Sequence, residues 1–301
     1  VVDADEPQPL PNLDYKITCG NSLLNRYALD TPLDNVFIEY NKDKNDDDKL
    51  SLAKYKQLVN DYTNTSNHAK KDLFRKTIEE IKKTFKTELS KKEINKIVSV
   101  KKDIYDLEQP NLFGEELTKA QKSELKKLKA KLDKLESERE DVLNNKVYED
   151  AFEWRFEFPQ LLDEKGDFTG FDIVIGNPPY IQLQNNAGEL ANLYEHCNYQ
   201  TFAKTGDIYC LFYERGWQLL CQHGHLCFIT SNKWMRAGYG EKTRGFFAKH
   251  TNPKLLIDFA GIQIFESGTV DTNILVFSKE SNLYNTKCVA FNKQDKYSLN
   301  N

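Results

Sequence analysis

No apolar run in this 301-residue sequence approaches the roughly 18 residues that cross a bilayer as a helix, so neither a membrane-spanning helix nor a membrane partner is expected. The opening VVDADEPQPLPNL lacks a basic stretch followed by an apolar one, the pattern of a secretory signal, and a cytoplasmic chain is expected. Charge of one sign is also lacking. The formal net charge of -4 gives no overall pull toward nucleic acid, yet it leaves room for a local basic face. The six cysteines (Cys19, Cys197, Cys210, Cys221, Cys227, Cys288) form no C-x-x-C pair and mostly sit among apolar neighbours, as buried thiols of a reducing compartment do. Glycine is scarce before Asn177, where Gly20, Gly114, Gly166, Gly170 and Gly176 never form G-x-G. The later Gly238-Tyr239-Gly240, with Gly245 beyond it, reads as a flexible loop.

One cluster has the residue types of a zinc site. In CQHGHLC, Cys221, His223, His225 and Cys227 alternate. The run reads as a helix ending at Gly224 and turning into a strand, HLCFIT, and on such a junction the four side chains diverge, so no metal is expected.

What the sequence holds in abundance is mixed charge. Residues 39–150 contain 26 Lys/Arg and 24 Asp/Glu, with one glycine (Gly114) and one proline (Pro110). Evenly mixed charge with almost no breakers predicts long solvated helices. Leu125, Leu128, Leu132, Leu135 and Val142 follow three-four spacing, with Arg139 filling the gap, which predicts a coiled-coil-like hairpin with the segment from Leu73 to Ile97. The small surplus of positive charge favours a helical spacer over a nucleic-acid clamp or a contact arm for a partner domain.

The flanks differ. YKITC (15–19), FDIVI (171–175), HLCFIT (225–230), LLIDFA (255–260) and TNILVFS (272–278) are short apolar runs suited to buried strands. Helical patterns cover about 206–222 and 239–250. Alternation of strand and helix predicts an α/β fold with a doubly wound, mostly parallel sheet, interrupted by the charged helices. The expected division is 1–38 and 151–301 for the core and 39–150 for the insertion. Ligands in such sheets gather beyond the carboxyl ends of the strands. The turn Cys19-Gly20-Asn21-Ser22 and the stretch Asn177-Pro178-Pro179-Tyr180 are therefore expected on one rim.

Why should FDIVI end in an amide, two prolines and an aromatic ring? Each proline lacks an N–H and pushes its predecessor into extended backbone, so the stretch is a stiff stub with acceptors held still. The Asn177 side-chain oxygen and the Pro178 carbonyl can together grip an NH2 group while Tyr180 stacks on the flat system bearing it. An amine conjugated to a ring is a poor nucleophile. Accepting both its protons draws the nitrogen toward tetrahedral geometry and favours the charge that develops during attack. Alkyl transfer to a conjugated NH2 needs that constellation.

IGNPPYI after FDIV is the Asn-Pro-Pro-Tyr motif of S-adenosylmethionine-dependent amino-methyltransferases. With LPNLDYKITCGNSLL, FEWRFEFPQLL, GDIYCLFYERGWQLL, GHLCFITSNKWMRAGYGEKTRGFF and IFESGTVDTNILVF in order, the sequence resembles the type IIG restriction-modification adenine-N6 DNA methyltransferases. The resemblance covers both flanks, roughly 190 residues, but not the charged insertion. It implies a Rossmann-like methyltransferase fold that binds S-adenosylmethionine and acts on double-stranded DNA with a flipped adenine. Asn177 and Pro178, carried on the stub with Pro179, would bind N6. Tyr180 would stack on the base, Phe265 would lie at its other face or edge, and Asn21 and Asn177 would contact the cofactor. Lys233, Arg236, Lys242 and Arg244 would supply phosphate contacts, though a solvated loop looks the same. Trp217 reads as core, and Trp234 as lining the DNA side.

The sequence departs from the family in one respect: the glycine-rich cofactor loop is missing before Asn177. A fragment of a longer enzyme is therefore expected, with nuclease and target-recognition domains elsewhere in the parent chain, weak cofactor binding and little or no methylation by itself. Two other readings stay open. The acceptor can be a protein glutamine amide or a ribosomal RNA base, or the fold can be a non-catalytic DNA-binding remnant.

Overall fold

The computed structural model describes residues 17–26, 29, 37, 40–42, 44–65, 68–83, 91–108, 118–143, 148, 150–262, 264–265 and 270–291. Its contacts divide the chain into two compact units, one of residues 1–20 and 25–153, the other of 21–24 and 154–301.

The first unit is helical. Helix α1 (Leu52–Asn64) starts at Ser51, whose hydroxyl accepts the Lys54 amide, and packs on α2 (His68–Lys83). Helix α3 (Lys91–Glu108) packs on α4 (Lys119–Leu143). The breaker-free composition accounts for their length. Three-four spacing accounts for the pairing: α3 buries Ile97, Val100 and Ile104, while Leu125, Leu128, Leu132 and Leu135 of α4 are half-buried. Lys101 reaches Glu136 at 2.8 Å and Lys129 reaches Glu108 at 2.7 Å across the pair. The leucine row thus pairs with the helix carrying Ile97. The Leu73 end of the expected partner belongs instead to α2, where Leu73 is exposed. The Val142 side chain lies outside the described residues.

The second unit is built on one sheet. Strand β1 (Phe171–Gly176) is followed by α5 (Asn185–Glu195) and α6 (Ile208–Leu219). Then come β2 (Leu220–Ser231), α7 (Glu241–His250), β3 (Asn252–Asp258), β4 (Thr272–Ser278) and β5 (Lys287–Ala290). The order is β1-β2-β4-β3-β5, with β1 parallel to β2, β3 parallel to β5, and β4 antiparallel to both its neighbours. Four strands share a direction and β4 opposes them. Helix α6 is buried nearly all round, and Gly216 lets it approach β2: a Cβ there would sit 2.3 Å from Leu226 Cδ1. Trp154 and Phe158 of FEWRFEFP, Phe168 just before β1 and Phe171 at its start pack ring on ring.

Several expectations need correction. YKITC makes no strand where it is described, at Ile17–Cys19; Tyr15 and Lys16 lie outside the described residues. The fifth strand is β5, whose short polar-flanked sequence KCVA carries little apolar signal. Helix α6 stops at Leu219, so Gly224 lies inside β2, in a bulge where Cys221–Gly224 stand opposite Asp172 alone. The bulge splays the CQHGHLC cluster: Cys221 Sγ lies 3.6 Å from Asp172 Oδ1, while the His223 ring meets Glu280 at 2.9 Å. Among the described residues no group of three or more His, Cys, Asp or Glu is arranged to hold a metal. Only Cys210 is a buried thiol, its pKa pushed up to about 12 by desolvation; Cys19 and Cys288 are exposed. Trp234 belongs to the core, its Nε1–H donating to Asn273 Oδ1 at 3.2 Å. Trp217 packs against the same cluster. Among the described residues no helix is long and apolar enough to cross a membrane.

Candidate active site

Because β1, β2 and β3 share a direction, their carboxyl ends lie on one edge of the sheet. Asn177-Pro178-Pro179-Tyr180 leave β1 there, Asn232–Arg236 leave β2, and the segment bearing Phe265 leaves β3. Asn232 Nδ2 donates to Asp258 Oδ1 at 2.8 Å and ties two of these exits together.

Within the stub, Pro178 is buried while Asn177 and Pro179 are exposed, so the first proline anchors an amide that faces solvent. Tyr180 is half-buried, with its ring edge-on to Tyr209 at 6.0 Å and 87°. Its hydroxyl lies 3.0 Å from Asn177 Oδ1 and 3.3 Å from the Ile229 carbonyl. Burial first, and then the charge of Asp207, raise its pKa above the ordinary phenol value, which keeps it a donor. An amide oxygen has two lone pairs; with Tyr180 on one, the other is left for an incoming N–H.

The chain after Tyr180 is laced to the start of α6. Ile181 N–H donates to Asp207 Oδ1 at 3.0 Å, Ile208 N–H to the Ile181 carbonyl at 2.9 Å, and Leu183 N–H to the Gly206 carbonyl at 2.9 Å. Asp207 is buried, and desolvation raises its pKa; the amides of Ile181, Tyr209 and Ile208 and the charge of Lys233 oppose that rise. Tyr209, in the first turn of α6, shares a 2.8 Å hydroxyl pair with Tyr239 of the loop before α7. Asn186, Ala187 and Gly188 then run through left-handed backbone before α5 becomes regular.

Asn21 sits on a pinned turn. Its Nδ2 donates to the Tyr194 hydroxyl at 3.0 Å and its Oδ1 accepts the Leu23 amide at 3.2 Å. Trp154 Nε1 donates to the Ser22 carbonyl, while Tyr199 and Arg215 both donate to the Leu23 carbonyl. No strand forms at Ile17–Cys19 before it, and Asn21–Leu24, part of the second unit, are held by side chains of that unit.

The four basic residues of the β2–α7 region divide. Lys233 and Arg236 are exposed. Lys242 is exposed as well, its Nζ donating to the Phe202 carbonyl at 2.8 Å, whereas Arg244 is half-buried and its Nη1 braces the loop by donating to the Trp234 and Ala237 carbonyls at 2.7 and 3.1 Å. Phe265 is half-buried on the β3 exit. Sequence reading missed Asp207, Tyr209 and Tyr239; its one available signal was an Asp immediately before a helical pattern, which ordinarily means no more than a helix cap.

Two curated relatives match a third or so of the chain. The type II restriction enzyme and methyltransferase RM.Eco57I of Escherichia coli is 32% identical over 115 residues, 37% of this chain and 11% of its own length. The type II methyltransferase M.PaeR7I of Pseudomonas aeruginosa is 34% identical over 100 residues, 33% of this chain and 17% of its own. The solved structure of the type IIG restriction endonuclease BpuSI aligns with a TM-score of 0.32 and 19% identity, over 37% of this chain and 14% of that one. The chain therefore spans a small part of the relatives it matches. A family model described as Eco57I restriction-modification methylase matches residues 21–265, and the chain belongs to that family.

Proposed function

We propose that the protein transfers a methyl group from S-adenosylmethionine to N6 of an adenine turned out of double-stranded DNA, as the modification activity of a restriction-modification enzyme. The observation that carries this reading is the exposed Asn177 amide at a strand's carboxyl end, one lone pair of its oxygen engaged by Tyr180 and the other free to accept. Family membership supports the reaction class.

The residues present fit the cofactor at two points, the partly exposed Asn21 on its pinned turn and the exposed Asn177. These two would hold it. When bound, S-adenosylmethionine supplies a methyl on a sulfonium, which an amine lone pair can take while sulfur keeps the bonding pair. Asn177 Oδ1 and the Pro178 carbonyl accept the two N6 protons, pull the nitrogen out of conjugation and favour the positive charge it gains. No separate base is required, since the alkylated amine releases its extra proton to water. Tyr180 stacks on the base from its perch on Tyr209, and Phe265 closes on it from the β3 exit. Lys233 and Arg236 contact DNA phosphates, whereas Arg244 holds the loop that presents them and Lys242 ties the start of α7 to Phe202.

The test uses the full-length protein with tritium-labelled S-adenosylmethionine and genomic DNA, native against Asn177→Ala, with the product digested to nucleosides. Label in N6-methyladenine that disappears in the variant is the expected result. Label in protein or ribosomal RNA offered in parallel would move the acceptor and refute the DNA reading.

A further inference from the structure

We propose that Asp207 is a positioning residue for the Asn-Pro-Pro-Tyr loop, its carboxylate fixing the Ile181 amide and thereby the aim of Asn177 and Tyr180. This rests on the methyl-transfer reading for its consequence, though not for its geometry.

Two consecutive prolines deprive the stub of two amide donors, so the first residues after it must anchor its outgoing end. Ile181 does so twice. Its N–H meets Asp207 Oδ1 at 3.0 Å and its carbonyl accepts the Ile208 amide at 2.9 Å, a two-way clasp between chain segments 26 residues apart. The same turn of α6 carries Tyr209, against which the Tyr180 ring stands edge-on at 6.0 Å. The first turn of α6 therefore holds both the backbone of the stub and the ring that follows it.

The choice of residue also points this way. Asp207 occupies the N-cap of α6, with extended φ/ψ of -112° and 146°, where a serine would serve the helix as well. A carboxylate buried to 9% exposure carries a desolvation cost that a serine avoids. What the longer, charged acceptor gains is reach to Ile181 and a stronger bond to it.

The experiment compares Asp207→Ser and Asp207→Asn with the native full-length protein. Single-turnover methylation of target DNA, equilibrium cofactor binding and amide hydrogen exchange of the segment 177–184 are measured on each. Serine can cap α6, which the Asp207 side chain itself does not, but cannot reach Ile181, so methylation should slow by about 30-fold, on the scale of a sub-ångström misplacement, while cofactor affinity holds. Exchange at 177–184 should quicken with α6 still protected, and Asp207→Asn, which keeps the acceptor, should restore most of the rate and the protection. Unchanged loop exchange in Asp207→Ser overturns the inference, as does Asp207→Asn behaving like Asp207→Ser. A native protein that methylates no DNA refutes the proposed function instead, and the exchange arm still decides whether Asp207 holds the loop.

Discussion

Removing one oxygen from Tyr180 separates two jobs that the structure gives to the same side chain. The ring is the stacking surface, and the hydroxyl, 3.0 Å from Asn177 Oδ1, orients the amide that must receive N6. Tyr180→Phe keeps the first and deletes the second. A neutral hydrogen bond is worth about 1 kcal/mol net, and if that orientation is felt in the transition state the methylation rate falls about fivefold. Tyr180→Ala also loses base stacking, a further ~1–3 kcal/mol, and so should be slower again by about 5- to 150-fold. Single-turnover methylation at saturating S-adenosylmethionine, with N6-methyladenine counted after digestion, reads both variants. Melting temperatures guard against a loss of fold, because the ring also packs on Tyr209. Two results refute the reasoning. Tyr180→Phe faster than native means that the hydroxyl competes for the oxygen instead of aiming it. Tyr180→Phe as slow as Tyr180→Ala means that stacking is not what the ring supplies.

Gly216→Ala should lower the free energy of unfolding by about 1–2 kcal/mol in urea, since overpacking against the fully buried Leu226 outweighs the ~1 kcal/mol gain in helix propensity; a stabilised variant would show that Leu226 can give way. Lys233→Ala and Arg236→Ala should each reduce the slope of log affinity for DNA against log salt by about 0.9, whereas Arg244→Ala should lower the melting temperature and leave the slope alone. An unchanged slope in the first two would remove them from the DNA surface. The raised pKa of Asp207 means that the folded protein binds its proton more tightly than the unfolded chain, whose ordinary value is 3.8. Native stability relative to Asp207→Asn should therefore fall as pH rises from that value through the folded one, and a difference independent of pH, read from paired urea midpoints, would show that the carboxyl is not desolvated.

The elements most legible in the sequence were those whose signal is local. TNILVFS lies inside the sheet as β4, and the mixed-charge run without breakers forms α1 to α4; FDIVI forms a strand as expected, but at the sheet edge, where Ile173 and Ile175 are exposed instead of buried. Asn-Pro-Pro-Tyr was legible for a related reason, because two prolines restrict the backbone regardless of what surrounds them. What stayed hidden depends on partners far along the chain. The first part of β2, LCQHG, is too polar to read as a strand until the bulge against Asp172 and the backbone hydrogen bonds of His223 and Gly224 with Lys279 are in place. Trp234 lies among basic residues and looks like a DNA-facing ring, yet Asn273, 39 positions away, satisfies its N–H in the core.

The same distinction sorts the candidate site. Charge and polarity in the sequence state which groups exist, but only long-range contacts state which are already spent. Arg244 is committed to carbonyls of the fold, whereas Asn177, Lys233 and Arg236 keep faces open to solvent. Asp207 is the opposite case: a residue that reads as an ordinary helix cap is instead drawn across to Ile181, and its partial burial is the cost of holding the loop. The exposed groups are therefore those the proposed reaction uses directly, and the committed ones set where those groups stand.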